Sequence, residues 1–344
     1  MRKPRQKSIE IRSFIVENVS AHPKDISALV INQFGISRPA VLGHIQKLID
    51  EGVLEATGTT RARRYELKLL VDQAFFFNLS PDAEEDKIWH HLVRPLLHEI
   101  PENVMRICEY GMNEMINNAI DHSEGTKARI HVRQSAAQVK FHLRDNGVGI
   151  FNKIQRDFGF DDPRQAILEL SKGKLTTDPS RHTGEGIFFV SRMFDRFVVF
   201  SDELFFSPND IARKDIPGRD DPDNGTGVKM NINTRSKRTT QEIFSRYASE
   251  DDDYRFSKTD VPVYLAKFGS DNLVSRSQAR RLLARLHEFR LIILDFTGID
   301  SIGQAFADEI FRVYLQGNPD IEISAINTNH DIDKMIRRVI SEIQ

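Results

Sequence analysis

The sequence predicts an α/β protein of several domains, and three observations carry that expectation. At 344 residues the chain exceeds what one ordinary hydrophobic core accommodates, so two or three units are expected. The first seventy residues read as helices followed by a short hairpin. Beyond residue 255, strands and helices alternate as they do in an α/β unit.

Charge is unevenly spread. The formal net charge is −2, yet residues 1–68 hold twelve Lys or Arg against seven Asp or Glu, which is +5 there and about −7 elsewhere. A nucleic-acid partner is therefore expected at the N-terminal end. The single cysteine, Cys108, excludes an intrachain disulfide and a multi-thiolate metal site. The opening MRKPRQKSIE is basic but leads into an amphipathic stretch, and no later run approaches the ~18 apolar residues of a membrane span. A cytoplasmic protein with no membrane association is expected.

Ile9, Ile11, Phe14, Ile15 and Val19 recur at roughly helical spacing, and a second helix is expected from Pro23 to Phe34, ended by Gly35. Ser37 is an N-cap for a third helix, in which Val41, Leu42, Ile45, Leu48 and Ile49 recur until Gly52. Val53 to Leu67 then reads as strand, turn, strand, with Arg61, Arg63 and Arg64 by the turn. Residues 7–68 resemble a winged helix-turn-helix domain, here bounded at 1–70. The resemblance implies double-stranded DNA as a partner. Among Arg38, His44, Gln46 and Lys47, some would face the major groove, while the three arginines meet phosphates. A winged helix used for protein contacts remains open.

Leu69 to Ser80 is a short connection in which Phe75-Phe76-Phe77 suggests a buried strand or interdomain packing. A helical region from about Glu84 to Ser123 and short strands at Lys127–Val132 and Gln138–Arg144 follow. Residues 152–183 are polar and broken by Gly159, Pro163, Gly173 and Pro179, a pattern for a long functional loop or lid with room for one short helix. Residues 201–225, rich in Asp, Pro and Gly, read as a connection before a strand at Val228–Ile232.

Four short motifs fall in this central stretch. In NEMINNAIDHS, helical spacing puts Glu114, Asn118 and Asp121 on one face. Asp145-Asn146-Gly147-Val148-Gly149 ends a strand, and its glycines let backbone approach a ligand. His182-Thr183-Gly184-Glu185-Gly186 precedes an apolar helix whose first N–H groups suit an anion. Asn224-Gly225-Thr226-Gly227 leads into a strand. Taken singly, the first is equally a solvated helix face and the second an ordinary turn.

Together and in this order they resemble the ATP-binding domain of the gyrase, heat-shock chaperone, histidine kinase and MutL superfamily (GHKL), a Bergerat α/β sandwich, here over residues 71–245. The resemblance implies ATP and Mg2+ as cofactors. Asn118 would hold the metal through its amide oxygen, and hard oxygen ligands suit Mg2+. Glu114 would orient or deprotonate the attacking water or hydroxyl, Asp145 would accept from the adenine amino group, and Thr226 would lie near the adenine edge. Lys172 and Lys174, in the lid, are candidates for the terminal phosphate or solvated loop lysines. His122 is either a partner of Glu114 or a structural histidine. No GxxxxGK[ST] sequence occurs, so the site is not of the P-loop kind.

Past the acidic run Glu250–Asp253, strands at Val261–Phe268, Leu291–Phe296 and Ile321–Ile326 alternate with helices at about Ser275–Phe289 and Gln304–Gln316. Residues 255–344 resemble a small STAS-like domain, related to anti-sigma factor antagonists in which a GHKL kinase phosphorylates a serine. Gln304 and Ala305 stand at that serine's place and Ser301 lies three residues earlier, so the acceptor is in doubt. Asp308 and Glu309 are expected to pair with a helix N-terminus. The domain is expected to mediate self-association or to bind a protein partner.

The sequence thus predicts a cytoplasmic regulator that binds and hydrolyses ATP and couples nucleotide state to DNA or partner binding. The alternative is a serine/threonine protein kinase of the anti-sigma factor type. A histidine kinase fits less well, because no dimerisation helix with a phosphoacceptor His precedes Glu114 at the usual place; His90, His91 and His98 lie in the helical region there but need not be exposed.

Overall fold

The structure, a computed structural model, describes residues 4–176, 183–208, 225–248, 256–267 and 272–341, apart from the side chains of residues 4, 5 and Arg61. His182, Asn224, the acidic run 250–253, residues 177–181 of the 152–183 segment and residues 209–223 of the 201–225 connection lie outside the described residues.

Three helices, α1 (Pro4–Asn18), α2 (Ile26–Phe34) and α3 (Arg38–Asp50), are followed by the hairpin β1 (Leu54–Thr57) and β2 (Arg64–Leu67). Gly35 ends α2 in a left-handed conformation, and Ser37 caps α3 by accepting from the Ala40 N–H. Ile15, Val19, Ile26, Val30, Val41, Ile45, Leu48 and Leu54 form a core of their own, which Ala137 joins from the next unit.

The connection after this unit is structured. It is β3 (Leu69–Asn78), edge strand of a six-stranded antiparallel sheet. Phe75 and Phe77 pack on the core, while Phe76, between them, is 71% exposed, as strand alternation requires. A short helix α4 (Glu85–Ile88) runs into tighter and wider turns up to Leu96, and the chain breaks before α5 (Glu102–His122). The one helical region expected there is therefore two.

Strands β4 (Lys127–Ser135) and β5 (Gln138–Asp145) form the hairpin that continues the sheet. The polar segment after it holds two helices, α6 (Ile150–Phe158) and α7 (Arg164–Lys172). Then come α8 (Gly186–Met193), β6 (Arg196–Ser201), β7 (Leu204–Phe206), β8 (Gly227–Asn233) and α9 (Thr240–Tyr247). The sheet order is β3-β4-β5-β8-β6-β7. Ile130, Val132, Val139, Phe141, Leu143, Met230 and Ile232 face the helices from one side of the sheet.

In the C-terminal unit, β9 (Lys258–Pro262), β10 (Leu291–Asp295) and β11 (Glu322–Ile326) make a parallel sheet with β10 in the middle. Strand β9 lies earlier than expected, because Val263–Ala266 turns into a 3-10 helix. The helices are α10 (Arg276–Leu283), α11 (Gln304–Asp308), which passes through a π-type turn at Glu309–Tyr314 into α12 (Leu315–Gly317), and α13 (His330–Ser341). The described residues thus form a mixed α/β, multidomain protein. None of their helices is long and apolar enough to cross a membrane.

One core runs through the central and C-terminal units. Phe256 packs on Phe188, Phe189 and Phe289 at centroid distances of 4.6, 5.0 and 5.1 Å. Beside it, Lys172 at the end of α7 is 1% exposed. Its ammonium donates to the Glu169 carboxylate at 2.7 Å and to the α10 carbonyls of Arg281 and Ala284 at 3.2 and 2.8 Å. Burial pulls the Lys172 pKa down and the Glu169 carboxylate opposes it. The lysine is an interdomain tie, neither a solvated loop residue nor a group facing a phosphate.

Lys172→Met removes the nearer of two cations from the buried Glu169 carboxylate, leaving Arg285 at 3.9 Å, and it should cost about 3–5 kcal/mol in equilibrium urea unfolding. Adding Glu169→Leu should recover much of that loss; a double variant as unstable as the single one would show that the charge pair is not what holds this contact.

Candidate functional site

A cleft of about 320 Å³ opens between α5, the turn after β5, α6 and the start of α8. Helix α5 is placed by its apolar face: Val104, Ile107, Cys108, Met112, Met115 and Ile116 are buried. Glu114 and Asn118, one turn apart, then turn toward the cleft. The cleft brings together Glu114, Asn118, Asp145, Gly184, Gly186 and Thr226, drawn from four separate stretches of chain. Asp121 is exposed and does not line it; Asn117 and His122 do.

Asp145, 4% exposed, sits at the end of β5. Its Oδ1 accepts from the N–H of Gly147 at 2.8 Å and of Thr226 at 3.1 Å. Burial raises its pKa and these backbone donors oppose the rise. Both bonds end on Oδ1, which leaves Oδ2 for the cleft. The Thr226 hydroxyl oxygen accepts from the Ile150 N–H at 2.9 Å and so starts α6. Gly147 and Gly149 do not line the cleft; they pack this turn against Ser123 and Ser201.

Glycine is required at two positions near α8. Gly184 has φ +69° and a Cβ there would strike the Leu175 backbone, whose N–H donates to the Gly184 carbonyl at 3.2 Å. A Cβ at Gly186 would collide with the Glu114 carboxylate, so this acid packs directly on the start of α8. Burial raises the Glu114 pKa; the Tyr110 hydroxyl bond opposes this, and Glu185 and Glu85 add to the rise. Glu185 is itself raised by burial, against the pull of Lys174.

Lys174 is outside the cleft. Its ammonium donates to the Glu288 carbonyl at 2.8 Å and lies 4.6 Å from the Phe289 ring centroid. The cation that does line the cleft is Lys153, paired with Glu124 at 3.2 Å and Asp157 at 2.9 Å. Sequence reasoning missed it by treating this segment as loop. The helical spacing of Ile150, Ile154 and Phe158, all cleft residues, was the available signal.

In the N-terminal unit, Arg38, Gln46 and Lys47 are exposed on α3, with Gln46 donating to Asp50 at 2.9 Å. His44 is half-buried, and its pKa is lowered by burial, Arg12 and Lys47, so it is the least available of the four for a groove. Arg63 and Arg64 are exposed on the hairpin, Arg63 lying 5.4 Å from the Tyr65 ring centroid; the Arg61 side chain lies outside the described residues.

In the C-terminal unit, Ser301 is exposed between β10 and α11, and Gln304 opens α11. Asp308 and Glu309 lie past the first turn of α11 and do not serve its N-terminus. Asp308 accepts from Arg312 at 2.5 and 2.8 Å, and Glu309 accepts from Arg280 at 2.7 Å. Residues 278–333 match the family described as STAS-like domain of unknown function (DUF4325). The C-terminal unit is a STAS-like domain. No curated protein matches the chain. Through Lys172 and Phe256 the STAS-like domain is fastened to α7 and α8, the helices that flank the cleft.

Because Glu114 holds its proton more tightly in the folded protein, its stabilising contribution is full below its ordinary value of 4.5 and is lost as pH rises through the raised folded value. Glu114→Gln should therefore raise Tm at pH 7 and change it little at pH 4, as followed by circular dichroism. An equal shift at both pH values would show that the carboxyl is not desolvated.

Proposed function

We propose that the chain is an ATP-binding and ATP-hydrolysing cytoplasmic regulator of the GHKL type, joined to a winged helix that binds double-stranded DNA. The observation that carries this reading is the convergence of Glu114, Asn118, Asp145, Gly184, Gly186 and Thr226 on one cleft. A desolvated carboxylate with one oxygen committed to backbone donors suits the exocyclic amino group of adenine. The start of α8, crowded by Glu114 and admitting no Cβ at Gly186, suits a phosphate group that needs close backbone approach. Asn118, one helical turn from Glu114, offers the amide oxygen that would hold Mg2+, an ion that neutralises phosphate charge when bound.

On this reading Asp145 and Thr226 orient the base, and the α8 backbone binds the phosphates. Glu114, its pKa raised by burial, takes the proton from the attacking water. The Tyr110 hydroxyl bonded to Glu114 holds that carboxylate in place. Helix α7 supports a coupled device: Leu170 and Leu175 line the cleft, and Lys172 between them ties the helix to the STAS-like domain. Nucleotide binding would then bias that domain's docking, its availability to a protein partner or second copy, and DNA binding.

The exposed Ser301 on a STAS-like domain keeps a second reading in play, a serine/threonine protein kinase acting on a separate protein. Incubation with γ-labelled ATP and Mg2+, following free phosphate and protein-bound label together, separates the two.

Asp145→Ala should abolish nucleotide binding measured by calorimetry. Asn118→Ala should remove its Mg2+ dependence, and Glu114→Ala should retain ATP but stop turnover. Wild-type affinity in all three folded variants would sink the assignment. DNA affinity measured with ATP, with ADP, with a non-hydrolysable analogue and without nucleotide should differ between states, with a reciprocal change in ATP affinity. Four equal values at saturation would leave the domains uncoupled.

A further inference from the structure

The central sheet has a second face, turned away from the helices and unused by the cleft. Strand alternation puts Arg129 and Arg133 of β4, Lys140 and Arg144 of β5, Lys229 of β8 and Arg196 of β6 on it. Within the six strands, Asp72 is the one carboxylate on this side, and it is engaged by His131 and Arg133. The ring contacts agree with the assignment of faces: Arg129 lies 5.8 Å from the Phe76 centroid, and Arg144 and Lys229 lie 5.7 and 5.1 Å from that of Phe200.

Like charges stand directly opposite one another in the ladder. Arg129 pairs with Arg144 and Arg133 with Lys140, while Asn231 separates Lys140 from Arg196. Such cross-strand pairs destabilise a sheet. The field is felt by the groups inside it: burial, then Lys229, Arg144 and Arg129, lower the His142 pKa to about 4, and burial, Arg133 and Arg196 lower that of Lys140. A fold that needed only solubility on this face would intersperse acids among the bases.

We propose that this face binds the phosphodiester backbone of duplex DNA, as a contact surface separate from the hairpin and α3. Arg129, Arg133 and Lys140, with Lys127 at the start of β4 on the same face, are exposed and supply the charge complementarity. Recognition is of phosphates: Phe76 is the exposed ring, at 71%, whereas Phe200 is 4% exposed beneath its cations, so no row of aromatics is available for stacking single-stranded bases. The row holding Arg133, Lys140 and Arg196 lies at the end of the sheet where Ala137 joins the core of the N-terminal unit and Arg235 approaches Glu17 at 4.0 Å. One duplex can therefore run from that unit onto the sheet.

The test uses the full chain and a labelled random-sequence duplex, with affinity followed by fluorescence anisotropy across salt concentrations. Arg129→Ala, Arg133→Ala and Lys140→Ala combined should weaken binding roughly tenfold or more near 0.1 M salt and reduce the magnitude of the salt slope by about 2.7. Arg129→Lys, Arg133→Lys and Lys140→Arg combined should retain both. An unchanged slope in the alanine variant overturns the proposal, as does an equal loss in the charge-retaining variant. Tighter binding to phosphatidylserine vesicles or polyglutamate than to the duplex at the same salt also overturns it. Arg63→Ala with Arg64→Ala forms a separate arm: no effect there would remove the winged-helix reading and leave the sheet face standing.

Discussion

A buried carboxylate must find donors where it is, and Asp145 finds two backbone N–H groups, at Gly147 and Thr226. That requirement organises the cleft. It ties the end of β5 to Thr226, the residue just before β8, and folds the following turn back on itself. It also places the Thr226 hydroxyl where it accepts from the first N–H of α6. The helix carrying Lys153, Ile154 and Phe158 into the cleft therefore starts from the same carboxylate. The glycines nearby serve this geometry as much as any ligand, since they let Ser123, Leu175 and Glu114 approach the backbone closely.

The second constraint is mechanical. Helix α7 meets the cleft through Leu170 and the STAS-like domain through Lys172, whose ammonium closes the C-terminal end of α10. An ammonium held by a carboxylate and two carbonyls has one arrangement, so a shift of α7 cannot be absorbed locally. The aromatic cluster on Phe256 acts in the same direction by joining α8 to residues before β9 and before β10. The two units share one core, whereas the N-terminal unit keeps its own and touches the sheet at Ala137. The cleft and the STAS-like domain are thus joined by buried contacts through α7 and α8.

The two faces of the central sheet divide the work. One is apolar, packed by helices, and frames the cleft; the other gathers cations at the expense of cross-strand repulsion. The alternation that produces both faces is a property of strands alone, but the pairing of Arg129 with Arg144 depends on register.

Local signals determined much of this protein from its sequence. The three N-terminal helices, the hairpin, the strands β4, β5 and β8, and the placement of Glu114, Asn118 and Asp145 followed from periodicity, capping and turn chemistry. Each of these acts within a few residues. The STAS-like unit was legible in its strand–helix alternation, although β9 shifted because Val263–Ala266 turned into a 3-10 helix. Tertiary structure decided what depends on distant partners. Asp121 shares a helix with Glu114 but not the cleft, because the apolar face of α5 sets the angle at which the helix lies on the sheet. Lys172 and Lys174, polar residues in a polar segment, became interdomain contacts once the α10 carbonyls and Glu288 were brought against them. Asp308 and Glu309 chose arginines over a helix end because α10 delivered Arg276 and Arg280 to them. A side chain's own sequence neighbourhood fixes its element, but its partners come from the packing of elements far apart in the chain, and burial then decides which charges must pair.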